Sequence, residues 1–116
     1  MNLQKSKDIS ETFNDGVCSI RLIDDDGNAG TEVERLRFKE RVVGTKRYYE
    51  AKTAKIQIDK LIRVPFRPWL TTEYLAVIGG TVYELEHVQT IPDSRPKTND
   101  LSLHLSRQRR VADGTV

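Results

Sequence analysis

The chain has 116 residues, 37% of them hydrophobic and 31% charged, with 19 Lys+Arg against 17 Asp+Glu for a net charge of +2. That length suits one small domain with a single core. No apolar run approaches the ~20 residues of a membrane span, the first residues lack the apolar stretch of a secretory signal, and one cysteine forms no intramolecular disulfide, so the expectation is a soluble, cytosolic domain.

In chain order, residues 1–15 are polar, lack apolar periodicity and read as a flexible N-terminal arm. A strand is predicted from Gly16 through Val17, Cys18, Ile20, Leu22 and Ile23. The turn formers Asp24, Asp25, Asp26, Gly27, Asn28, Ala29 and Gly30 follow it as a loop. A second strand is predicted from about Val33 to Val43. Leu36, Phe38 and Val42 fall on one face, Arg35, Arg37, Lys39 and Arg41 on the other, and Glu40 hints at a strand end or bulge. Between Gly44 and Ala54 the spacing of Tyr48, Ala51 and Lys52, with Thr45 as N-cap, predicts a short helix.

Ile56, Ile58, Ile62 and Val64 predict a further strand, irregular at Asp59-Lys60 and stopped by Pro65 and Pro68. Glu73 to Ile78 and Thr81 to Val88 flank Gly79-Gly80, which fits a two-residue hairpin turn with positive φ. After a loop over residues 92–99, Leu101, Leu103 and Leu105 alternate with Ser102, His104 and Ser106. Residues 107–116 carry no core pattern and read as a disordered C-terminal tail. The expected fold is mainly β: a small antiparallel β-barrel or sandwich of about six strands, residues 16–106, with one short α-helix.

No catalytic constellation assembles from these residues. Asp24, Asp25 and Asp26 lack the glycine placement and terminal glutamate of a calcium loop. Cys18 lies among apolar neighbours as a buried thiol. His87 and His104 stand 17 residues apart, without ligand spacing. Gly79-Gly80 precedes a strand and not a helix N-terminus, so it forms no phosphate loop. The expectation is a non-enzyme without metal or cofactor.

Charge is unevenly distributed. Residues 35–63 hold ten basic and three acidic side chains, a net +7, against −5 for residues 1–34 and −3 for residues 73–104. The stripe Arg35, Arg37, Lys39 and Arg41 spans about 20 Å of one strand face. It could follow a nucleic-acid backbone, as in an oligonucleotide-binding barrel, though Phe38 points to the other face and stacking needs aromatics beside the charges. It could instead be a merely solvated face or a subunit interface in a head-to-tail ring, and the asymmetry of +7 against −5 favours the interface.

The stretch Arg47-Tyr48-Tyr49-Glu50-Ala51-Lys52-Thr53-Ala54-Lys55-Ile56 is followed by a strand, then by Glu73-Tyr74, Val77 and Gly79-Gly80-Thr81-Val82-Tyr83-Glu84-Leu85. This order resembles the head–tail joining proteins of tailed phages, also called head-closure or stopper proteins. The resemblance covers roughly residues 16–106. It departs from the family pattern at Glu86-His87, where an arginine often stands, and in the long segment 65–72. It implies a structural phage or prophage protein that forms a ring below the portal, retains packaged DNA passing through its channel and docks the tail. Its partners would be the portal or adaptor ring above, tail proteins below and copies of itself, with no membrane. It would reside in the host cytoplasm during assembly and then at the head–tail junction. On that reading Asp24, Asp25 and Asp26 line the channel, Arg35, Arg37, Lys39 and Arg41 form the subunit interface, and Arg107, Arg109 and Arg110 contact the tail.

Overall fold

A computed structural model describes residues 12–41, 47–50 and 55–112, with side chains for 12–41 and 58–112. Residues 1–11 of the predicted arm, Val42, Thr45 and residues 113–116 lie outside the described residues. The strands are β1 (Gly16–Ile23), β2 (Ala29–Arg41), β3 (Arg47–Glu50), β4 (Lys55–Ile58), β5 (Lys60–Pro65), β6 (Leu75–Ile78), β7 (Thr81–Ile91) and β8 (Thr98–Leu105). Six of them make one antiparallel sheet in the order β1-β2-β5-β8-β7-β6. β6 pairs back with β1 through Ser19↔Val77, Ile20↔Ala76 and Arg21↔Leu75, so the sheet closes and each of the six has two neighbours.

Closure follows from the alternation in the sequence. Cys18, Ile20, Leu36, Phe38, Ile62, Val64, Leu85, Leu101 and Leu103 all project inward and are at most 4% exposed. Burying each large aliphatic side chain contributes about 1.5–3 kcal/mol, and pairing every edge removes unsatisfied backbone groups that short strands would otherwise present. Gly79 and Gly80 have φ of +58° and +81°, the two positive values a tight β6–β7 turn requires.

The predicted helix is a correction. Arg47–Glu50 is extended and pairs with Lys55–Ile58 in a separate two-stranded sheet, in register Arg47↔Ile58 to Glu50↔Lys55. Tyr48, Tyr49, Ile56 and Ile58 are strand formers, and pairing them strand to strand outweighs the weak helical spacing. Asp59 separates β4 from β5 at the expected irregularity. β2 ends at Arg41, one residue past Glu40, and the bulges of the first hairpin lie between Ile20 and Ile23. Segment 66–72 does more than stop a strand: Leu70 joins the inner core, and Trp69 packs edge-on against Tyr74 at 5.3 Å.

β6 departs from simple alternation. Its run Leu75-Ala76-Val77-Ile78 is apolar on both faces: Ala76 belongs to the inner core, while Leu75 and Val77 form an outer cluster with Ala29 and Val82. Val111 packs over this second cluster. Residues 109–112 of the predicted disordered tail are therefore docked on the outside of the sheet, where β6 and β7 have apolar surface to cover.

Candidate functional site

The expected subunit-interface stripe is present on the outer face of β2. Leu36 and Phe38 are buried inside, and Arg35, Arg37 and Lys39 are exposed with Arg41 half-buried. Carboxylates from the sheet pin part of it. Arg35 Nη2 lies 3.3 Å from Glu32 Oε1, which also accepts a 2.6 Å bond from Ser19 Oγ. Asp100 accepts from Arg63 through both oxygens, at 2.6 and 3.1 Å, and from Arg41 at 3.2 Å. Lys60 reaches Glu40 at 3.1 Å. Arg37 makes no ion pair among the described residues and faces solvent opposite the exposed Val17. No aromatic side chain shares the outer faces of β1, β2 and β5: positions 17, 19, 21, 35, 37, 39, 41, 61, 63 and 65 hold none.

Two carboxylates at this flank are held below the usual glutamate range. For Glu32 the chief cause is the Ser19 hydrogen bond, with Arg35 and Arg21 adding to it. For Glu34 it is a bidentate bond from Arg67, Nε and Nη2 each donating at 2.9 Å. This last pair ties segment 66–72 to β2. It spans 33 residues, so no local pattern announces it.

The expected channel loop is a tight, self-bonded turn. Asp24 Oδ1 accepts from the amides of Asp26 at 2.9 Å and Asn28 at 2.8 Å, and Gly27 sits at φ +84°. Asp25 and Asp26 are exposed. No group of three His, Cys, Asp or Glu residues able to hold a metal ion occurs among the described residues.

The same turn anchors the C-terminal segment, 82 residues away. Arg109 donates to Glu84 Oε2 at 3.0 Å and to the Gly27 carbonyl. The Arg110 amide donates to Asn28 Oδ1 at 3.0 Å. Ala29 and Val111 form a parallel bridge: Ala29 donates to the Arg110 carbonyl and Ala112 to the Ala29 carbonyl, both at 2.8 Å. Of the expected tail contacts, Arg107 and Arg110 are exposed, whereas Arg109 is engaged within its own chain.

The residues weighed as catalytic are kept apart. Cys18 is fully buried inside the sheet, where loss of hydration pushes its thiol up to about 12, so no thiolate forms near neutral pH. His87 and His104 lie in β7 and β8 opposite Ser102 and Glu84. His104 Nδ1 is 3.2 Å from Asp59 Oδ2, which also accepts the Leu105 amide at 2.8 Å and so caps the β4–β5 break. Beside it Glu86, at the β7 bulge, is raised above the usual carboxylate range by burial and by Glu84, with His104 opposing. An open cavity of about 290 Å³ is lined here by Asp59, Glu84, His104, Ser106 and Arg107.

Comparison with known proteins found no matching family, curated protein or solved structure.

Proposed function

We propose that the chain is a structural subunit of a tailed-phage or prophage head–tail connector, a small β-barrel that joins a ring below the portal, retains packaged DNA and docks the tail. The observation that carries this reading is the outer face of β2, where Arg35, Arg37 and Lys39 are exposed at strand spacing with no aromatic side chain among the described residues on the outer faces of β1, β2 and β5. Such a face suits protein carboxylates; a single-stranded nucleic acid would call for stacking partners among the charges. The closed six-stranded sheet supports the reading as a rigid body that can be repeated around an axis. The sequence resemblance over residues 16–106 supplies the phage context.

The test is the variant Arg37→Glu, alone and with Lys39→Glu, in the producing phage. DNA-filled heads without tails are expected by electron microscopy; normal virions overturn the interface assignment. The alternative, an oligonucleotide-binding barrel, is tested on the purified protein. Salt-sensitive binding of single strands, lost in Arg37→Glu, would replace the connector reading.

A further inference from the structure

From the docking of residues 109–112, we infer that this strap and its groove are an exchangeable joint between copies of the chain: the strap of one copy seats in the groove of the next. The inference rests on the ring reading only for what brings copies together.

The groove is a complete recognition site. One side is apolar, with Ala29, Leu75, Val77 and Val82 receiving Val111. At one end the Glu84 carboxylate and Gly27 carbonyl receive the Arg109 guanidinium. The backbone of Ala29 supplies one donor and one acceptor to the strap, extending the sheet by a parallel bridge. This is strand addition with an arginine and an aliphatic anchor two residues apart. Nothing in the site requires the strap to come from the same chain. The connection from β8 is short, with Ser106, Arg107 and Gln108 between Leu105 and Arg109, and Arg107 and Gln108 are exposed. The Ser106 amide stays bonded to the Val82 carbonyl, so Arg107 and Gln108, about 7 Å when extended, are the residues that redirect the strap to an adjacent body.

Concentration decides which partner is chosen. A short flexible tether presents the strap to its own groove at an effective concentration in the millimolar range. Dilute protein therefore keeps the strap at home. Copies held side by side on a template reach comparable local concentrations, and exchange then replaces the contacts of the groove, giving up the bond from the Arg109 amide to Ser106 Oγ within the connection. Because strap and groove are different surfaces, the joint is head-to-tail, and a closed ring leaves no groove empty.

The test uses full-length protein with reciprocal charge reversals. Arg109→Glu spoils a strap and leaves its groove intact; Glu84→Arg spoils a groove and leaves its strap intact. Each variant alone is expected to be monomeric by sedimentation equilibrium at ~50 μM, whereas an equimolar mixture restores matched pairs only between chains. The mixture is expected to associate at least about tenfold more tightly than either variant with itself. Adding Val111→Asp to the Glu84→Arg chain removes that gain. A mixture that stays monomeric, or one indifferent to Val111→Asp, overturns the inference. None of these outcomes depends on a portal or on phage production, so a failed joint and a failed connector role are told apart.

Discussion

Inside the closed sheet, Ile20, Ile62, Val64, Leu101 and Leu103 are wholly buried, and their cover is the sheet itself. On the outside of β6 and β7, Leu75, Val77 and Val82 are almost as buried, at 2–8% exposure, yet part of their cover is the short segment carrying Val111. Equal burial thus conceals unequal permanence. Uncovering the inner cluster means breaking the sheet. Uncovering the outer one costs a half-buried valine, one partly exposed ion pair and a few hydrogen bonds. Those sum to about 2–4 kcal/mol, against the ~5–15 kcal/mol of a whole domain.

The contrast is sharpened first by truncation in the two clusters. Leu101→Ala empties a fully buried inner position and is expected to lower the urea unfolding free energy by about 2–5 kcal/mol. Val111→Ala removes two methyl groups from a half-buried residue and is expected to cost about 1 kcal/mol or less. An equal cost for both would show that the strap is as integral as β8.

A smaller effect concerns pH. Glu32 and Glu34 have folded-state values held below their unfolded ones, so their stabilisation is present above the ordinary glutamate range and is lost as pH falls through the lowered values. Glu86 is raised and opposes them, its contribution being lost as pH rises. Glu34→Gln is expected to flatten the fall in thermal stability on acidification below about pH 5; an unchanged acid limb would show that the Arg67 bond contributes nothing. The smallest effect belongs to the exposed stripe. Arg37→Glu is expected to change stability by no more than about 0.5 kcal/mol in thermal melts, so that any loss of tail joining by this variant is a defect of the surface and not of the fold.

Much of the inner structure was legible because alternation is local. Leu36 and Phe38 against Arg35, Arg37 and Lys39, the Gly79-Gly80 turn, and Leu101 and Leu103 each announce themselves within a few residues. Tyr48 misled because its spacing of three and four to Ala51 and Lys52 admits a helix, while its side-chain type favours a strand. The outer cluster had one overlooked signal: Leu75-Ala76-Val77-Ile78 is apolar on both faces, as expected of a strand covered on both sides. What covers it was not legible. Val111 and Ala112 stand among polar residues without periodicity, and Arg109 meets Gly27 across 82 positions. The same distance effect hid the partial neutralisation of the basic stripe, since Asp100 lies 59 residues from Arg41. Segmental charge along the chain therefore overstated charge separation in space.

The central claim, that the strap opens independently of the closed sheet, is tested most directly by native-state hydrogen exchange. The amides of Ala29 and Ala112 donate to Arg110 and Ala29 across the joint. They are expected to exchange through a local opening of about 2–4 kcal/mol that is insensitive to urea, while the amides of β5 and β8 exchange only by global unfolding. If Ala29 and Ala112 exchange with the same free energy and urea dependence as β5 and β8, the strap is part of the sheet and the account fails.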